Sequence, residues 1–193
     1  IPVDKYMRTN VSGIYAIGDI TGKFLLAHVA SHQGIIAADN IIGRKSCLHY
    51  NAVPSVIFTR PEIATVGMTL EKALSEGYLA VESAFPFQIL GKSQASLETE
   101  GFVQIISDKR TGQLLGAQVV GHEASTLIAE MTLAINNELT VECVVETIHA
   151  HPTVAEAWLE AALIAEDLPL HFPPQNKSKV QNRKKQYVEA GTV

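Results

Sequence analysis

His151 is the first candidate for chemistry, as a residue that could accept and donate a proton. His151 is followed by Pro152 and has a carboxylate five residues on, at Glu156. Proline restricts the residue before it to extended geometry, so this histidine lies on a stiff turn, and a neighbouring carboxylate favours the imidazolium form. The arrangement suits a general base. Thr153 and Glu156 also have the spacing of a capping box, in which both side chains bond backbone amides at a helix start. The role of Glu156 therefore stays open between the two.

A second candidate is the turn after the short apolar run Ile14–Ile17. A strand that ends in Gly18 and Asp19 lets a ligand approach over the missing side chain. It also offers a carboxylate to the hydroxyl groups of a sugar-like chain. The dipeptide alone is more typical of a plain turn, because both residues suit turn geometry.

A third candidate is the start of the helix that follows. Leu26, Ala27 and His28 open it, and the free amides and positive dipole of a helix start favour an anionic or electron-rich ligand edge. His28 and His32 have a spacing that can serve a metal, but the sequence supplies no third ligand. We predict no metal site. His149, two residues before His151, is interpreted as a packed or exposed histidine rather than as a second catalytic group.

Composition limits the class of protein. The 193 residues are 47% hydrophobic and 18% charged, which is typical of a globular chain with a real core. The net charge of -5 argues against a nucleic-acid-binding protein, and no apolar run is long enough for a membrane span. Cys47 and Cys143 lie far apart, with neither a CxxC nor a metal-ligand spacing. We predict a soluble, cytoplasmic protein.

The elements that must position these residues fall into two groups. In residues 1–49, a strand at Ile14–Ile17 leads through a sharp turn into a helix within Leu25–Ile42. Beyond them, we predict strands at Val56–Phe58, Ile63–Val66, Leu79–Phe85, Phe102–Ile106 and Leu114–Val120, and helices at Thr69–Glu76, Ser125–Asn136, Thr140–Thr147 and Thr153–Ala165. Residues 108–112 read as a hairpin turn, with Gly112 free to take positive φ.

Strands that precede helices predict an α+β domain over residues 50–168, a mainly antiparallel sheet covered by helices. Residues 1–49 are expected to be the end of another domain, since one strand and one helix leave their apolar faces without a partner layer. Residues 169–193 are predicted to form an extended basic tail.

Four segments, in this order, resemble the C-terminal part of the dihydrolipoyl dehydrogenases, within the flavin-dependent pyridine nucleotide-disulfide oxidoreductases. They are TNVSGIYAIGD at residues 9–19, LAH at 26–28, PSVIFT with PEIA and VG at 54–67, and HAHPTVAE at 149–156. The resemblance implies that residues 1–49 close an FAD-binding domain and that residues 50–168 are the interface domain of a homodimer.

The resemblance also implies a role for each candidate residue. Asp19 would hold the ribityl chain of FAD, and Leu26, Ala27 and His28 would lie against the pyrimidine end of the flavin. His151 would take a proton from a dihydrolipoyl thiol, and Glu156 would orient and polarise it. Both would act in the active site of the other subunit.

The implied parent enzyme oxidises dihydrolipoyl groups of 2-oxo acid dehydrogenase complexes and reduces NAD+ through a disulfide and FAD. Its partners would be a second copy of itself and lipoyl domains. The CxxxxC pair and the Gly-rich nucleotide folds of that family do not occur in this sequence. We therefore expect a C-terminal fragment that is inactive alone and binds neither cofactor on its own.

Two alternatives stay open. Glutathione-type disulfide reductases also carry His-Pro-Thr and a downstream carboxylate, although Ala150 and the run at residues 54–57 favour the dihydrolipoyl enzymes. The chain could instead be a self-associating module without chemistry, in which the histidine belongs to the helix cap. Such a module would bury more than about 2,000 Å² against a symmetry mate.

Overall fold

The computed structural model describes residues 1–173, and the chain divides into two units between Val53 and Pro54. The first unit contains a 3₁₀ helix, Gly18–Thr21, and one long helix, α1, Ala27–Ile41. A small core, formed by Met7, Ile36 and Ala37, joins α1 to the segment before it.

The strand predicted at Ile14–Ile17 is not formed. Only Tyr15 makes an antiparallel bridge, with Arg8. The amides of Ile14 and Ala16 bond carbonyls of residues 11 and 7. Because these hydrogen bonds are local, the segment is a tight loop rather than part of a ladder.

The second unit is built on a five-stranded antiparallel sheet of order β1-β2-β5-β4-β3. Its strands are Ser55–Ile57, Glu62–Gly67, Ala80–Pro86, Gly101–Asp108 and Leu114–Gly121, numbered β1 to β5. The predicted hairpin connects β4 and β5, and Gly112 in its turn has φ of 74°. These observations confirm the predicted α+β fold with an antiparallel sheet.

Five helices accompany the sheet: α2, Leu70–Ser75; α3, Gly91–Ser96; α4, Ala124–Asn136; α5, Val141–Glu146; and α6, Glu156–Ala165. Thr69 caps α2 as its spacing predicts, since its hydroxyl accepts the amide hydrogen of Lys72. Helix α3 was not predicted. It follows a 3₁₀ turn at Phe87–Ile89. Its sequence is mostly polar, so there is no apolar periodicity from which a helix could be predicted.

Helices α4 and α6 join the sheet to the candidate site. Helix α4 packs on β2 and β5, and α6 packs on β3 and β4. Trp158 of α6 is fully buried, and its indole N–H donates to the carbonyl of Leu127 in α4 at 3.1 Å. The two helices are thereby fixed to each other as well as to the sheet.

Helix α6 ends at Ala165 as the sequence predicts, but its start differs. The helix begins at Glu156 rather than at Thr153, because residues 151–155 form a turn. After its end, the amide of Leu168 bonds the carbonyl of Leu163. Of the predicted tail, residues 174–193 lie outside the described part of the chain. Within residues 1–173, no helix is long and apolar enough to cross a membrane.

Candidate active site

His151 lies on the loop between α5 and α6 and pairs with the first residue of α6. Its Nδ1 is 2.8 Å from Oε1 of Glu156. The histidine side chain is 77% exposed, whereas that of Glu156 is 20% exposed. A carboxylate can only accept, so Nδ1 carries the hydrogen and Nε2 presents the lone pair of the neutral ring. The peptide bond between His151 and Pro152 is cis.

Glu156 serves the histidine and the backbone at once. Its Oε2 accepts the amide hydrogen of Thr153 at 2.9 Å, which is one half of the predicted capping box. The other half is wrong, because the Thr153 hydroxyl donates to the carbonyl of Ala150 at 2.7 Å instead of accepting an amide. One oxygen of Glu156 thus contacts the His151 ring, and the other bonds the backbone amide at the start of α6.

The electrostatics keep this carboxylate ionised. Partial burial acts to raise the pKa of Glu156, but the hydrogen bonds from the Thr153 amide and from His151 act in the opposite direction and prevail. The pKa therefore lies below its ordinary value. An ionised Glu156 holds the ring by Nδ1 and stabilises the imidazolium that would form if Nε2 took a proton.

A second histidine pairs with the next carboxylate on the same helix. Glu160, one turn after Glu156, is buried with 3% of its side chain exposed. Its Oε1 is 2.7 Å from Nδ1 of His171, and its Oε2 accepts the His171 amide hydrogen at 3.2 Å. This pair was not predicted from the sequence, because His171 stands among prolines in a segment that we expected to form an extended basic tail.

In the first unit, a buried glutamine holds the Gly18 turn. Gln33 of α1 is fully buried, and its Oε1 accepts the Gly18 amide hydrogen at 2.6 Å. Its Nε2 donates to the hydroxyl of Tyr50 at 3.0 Å. Gly18 has φ of 76°, a conformation that favours glycine. Gln33 was not predicted from the sequence; a glutamine inside the apolar stripe of α1 is the signal that could have found it.

The predicted binding residues of this unit lie near its surface. Asp19 is exposed and follows Gly18 in the 3₁₀ helix, which packs against α1. Leu26 is the N-cap residue of α1 and makes no side-chain cap, while Ala27 and His28 are exposed. An exposed carboxylate on a tight turn and an uncapped start of a 15-residue helix fit a ligand that has hydroxyl groups and an electron-rich edge.

Comparison with known proteins places both units in one family. Residues 53–162 match the family model described as pyridine nucleotide-disulphide oxidoreductase, dimerisation domain, and residues 1–34 match the model described as pyridine nucleotide-disulphide oxidoreductase.

Individual relatives agree with the family models. The chain is 58% identical over 176 residues to a dihydrolipoyl dehydrogenase of Chlamydia pneumoniae, a match that covers 91% of this chain and 38% of the relative. It is 59% identical over 177 residues to that of Chlamydia muridarum, covering 92% of this chain and again 38% of the relative. The chain thus spans less than two fifths of the length of these relatives.

Solved structures show the same fold. The crystal structure of LpdA from Mycobacterium tuberculosis superposes with a TM-score of 0.78 at 35% sequence identity, over 83% of this chain and 35% of that one. The sequence matches identify the region as similar to the C-terminal part of dihydrolipoyl dehydrogenases. The chain belongs to the pyridine nucleotide-disulphide oxidoreductase family, and residues 53–162 are its dimerisation domain.

Proposed function

We propose that this chain is the C-terminal part of an FAD- and NAD-dependent dihydrolipoyl dehydrogenase, in which His151 and Glu156 are the acid/base pair. The observation that carries the proposal is the 2.8 Å contact between Nδ1 of the largely exposed His151 and a carboxylate whose pKa is lowered. It fixes the tautomer and leaves Nε2 as the atom that accepts a proton. The similarity to dihydrolipoyl dehydrogenases supports the choice of substrate.

The chemistry required of this pair is the removal of a thiol proton. A thiol with an ordinary pKa of about 8.5 is mostly protonated at neutral pH, and the thiolate is the nucleophile in disulfide exchange. Nε2 of His151 would accept the thiol proton, and the ionised Glu156 would balance the positive charge on the ring. When the reaction runs in the opposite direction, the imidazolium would return the proton.

The first unit would form part of the flavin site. Asp19 would accept hydrogen bonds from the ribityl hydroxyls of FAD, and residues 26–28 would face the pyrimidine edge of its ring. FAD, when bound, supplies the electron transfer between the reduced disulfide and NAD+. The task of the chain's own residues is to hold and orient it, and Gln33 contributes by fixing the Gly18 turn that carries Asp19.

The second unit would form the interface of a homodimer, so that His151 acts on the site of the other subunit. The exposed position of His151 on a loop of the dimerisation domain supports this arrangement. We infer two segments with distinct roles: residues 1–49 close the FAD-binding domain, and residues 50–168 form the interface domain. Lipoyl domains of 2-oxo acid dehydrogenase complexes would be the other partners.

The decisive experiment uses the intact protein that carries this chain. NADH formation from dihydrolipoamide and NAD+ is measured beside NADPH-dependent reduction of glutathione disulfide. We expect activity only in the first assay, and the 193-residue chain alone should have none. Activity only with glutathione disulfide would identify a glutathione-type reductase. A dimer with neither activity would favour a non-catalytic module, and both results contradict the proposal.

A further inference from the structure

His149, two residues before the candidate base, is held between two hydrogen-bond acceptors. Its Nε2 is 2.9 Å from Oε1 of Glu130 in α4, and its Nδ1 is 2.9 Å from the carbonyl oxygen of Thr147. Only 4% of the histidine side chain is exposed. The ring is therefore removed from solvent, and both of its nitrogens are engaged by protein oxygens.

The two contacts define the protonation state of the ring. A backbone carbonyl accepts and never donates, and an ionised carboxylate does the same. Glu130 keeps 38% of its side chain exposed, so its ionised form remains hydrated. A neutral imidazole has one N–H and can satisfy only one of the two oxygens, whereas the imidazolium satisfies both. The geometry thus requires a positively charged His149.

The charges around the ring agree with this assignment. The hydrogen bond to Glu130 raises the pKa of His149, against the opposing effect of burial. The charges of Glu130, from α4, and of Glu156, from α6, add to the increase, as does the Thr147 carbonyl. The imidazolium is therefore held between acidic groups on the two helices that flank it.

Within residues 146–152, His149 is the one side chain that is not exposed, while Val154, further along the same loop, belongs to the core. Residues 146–148 and 150–152 are all exposed, and Ile148 is 96% exposed. The hydroxyls of Thr147 and Thr153 bond carbonyls of residues 143 and 150, so these contacts are local. The Glu130 contact joins positions 19 residues apart. It attaches this exposed segment to helix α4, which itself packs on the sheet.

We propose that His149 is a positioning residue: a charged tether to Glu130 that fixes the loop on α4 and thereby sets the direction in which His151 presents Nε2. The proposal rests on the proposed function of His151 and assigns His149 no contact with substrate. It differs from the sequence interpretation, in which His149 was merely packed or exposed. A positioning role predicts that removing either partner of the tether affects proton transfer without affecting the handling of NAD+.

The first experiment measures the charge directly. The intact protein, labelled with 15N at its histidine rings, is examined by solid-state NMR at pH 7. The resonances that disappear in His149→Gln belong to His149. We expect both of its ring nitrogens to be protonated, and one to lose its hydrogen in Glu130→Gln. A neutral His149 in the unsubstituted protein would overturn the proposal, whatever reaction the enzyme catalyses.

The second experiment measures turnover of dihydrolipoamide. We expect kcat to fall about ten- to a hundredfold in Glu130→Gln and in His149→Gln, because small misplacements of a reacting group are costly. The KM for NAD+ should not change. The double variant should be no slower than either single variant, since one contact is lost in all three. Glu142→Gln, at an exposed carboxylate of α5, is the matched control and should retain full turnover.

The outcomes separate the two proposals. Unchanged turnover in both single variants, or additive losses in the double variant, would refute the positioning role while leaving the dehydrogenase intact. If the unsubstituted protein does not oxidise dihydrolipoamide, the proposed function is refuted and the positioning role with it. In that case, a doubly protonated His149 in the NMR spectra would still establish the charged tether.

Discussion

The substitution Glu156→Gln tests whether the two carboxylate oxygens have separate roles, one toward His151 and one toward the Thr153 amide. The amide oxygen of glutamine can still accept the Thr153 amide hydrogen, so the start of α6 keeps its bond. The amide nitrogen then faces Nδ1 of His151 as a donor. To avoid two opposed donors, the neutral ring must carry its hydrogen on Nε2 and accept at Nδ1. The atom that should take the thiol proton is then already protonated.

The magnitude follows from that change of tautomer. A positioned general base contributes roughly 10²- to 10⁴-fold to the rate, so we expect turnover of dihydrolipoamide by the intact enzyme to fall at least about 100-fold. That loss corresponds to roughly 2.7 kcal/mol of transition-state stabilisation. Folding should lose less than about 1 kcal/mol, because the hydrogen bond to Thr153 remains and His151 is largely exposed.

Steady-state kinetics and thermal unfolding measure the two effects separately. The matched control is Glu123→Gln, which makes the same change at the pair of His122 and Glu123, where both side chains are exposed and 3.5 Å apart. That variant should retain full turnover. Unchanged turnover in Glu156→Gln, or an equal loss in Glu123→Gln, would refute the assignment of Glu156 to the tautomer of His151.

Three further predictions concern stability. Gln33→Leu leaves the buried amide of Gly18 without its acceptor, so the free energy of unfolding should fall by about 1–3 kcal/mol. Hydrogen exchange of the Gly18 amide should also become faster. Gln33→Glu keeps the acceptor and is the control. Trp158→Phe removes the donor to the Leu127 carbonyl and should lower the free energy of unfolding in urea by about 1–3 kcal/mol, a loss that unchanged urea midpoints would contradict. The pKa of His149 is raised in the folded state, so the stability it contributes is complete below about pH 6.5 and is lost as the pH rises through that raised value. Urea unfolding should therefore show that Glu130→Gln loses most free energy of unfolding at the acidic end of this range. A loss that does not change with pH would count against the charged pair.

The sheet and its helices could be predicted from the sequence because the apolar period of each element agrees with its place in the fold. The strand Leu114–Gly121 is buried along most of its length, as its continuous apolar run indicates, and helix Ala124–Asn136 is buried on one face, as its apolar spacing indicates. The strand predicted at Ile14–Ile17 was wrong because an apolar run does not by itself supply a pairing partner. In this unit the segment bonds mainly to its own neighbours.

The candidate site was predicted where its residues are close in the chain. His151 and Glu156 are five positions apart, and a turn before a helix start brings them together. Glu130 and Glu160 could not be predicted, because their histidines lie 19 and 11 positions away and the contacts depend on how α4 and α6 pack. Each is a carboxylate on a mainly apolar helix, and such a carboxylate is a signal that local reasoning leaves unused.

The pair of His171 and Glu160 brings the last described residues into the electrostatic environment of the proposed base. The charge of His171 acts on Glu156 and helps to lower the pKa of that carboxyl. An affinity tag, a fluorescent fusion or a truncation placed near position 171 would therefore remove one of the interactions that lower the pKa of Glu156. Reporter groups for this protein belong elsewhere, for example on the exposed turn at residues 109–111.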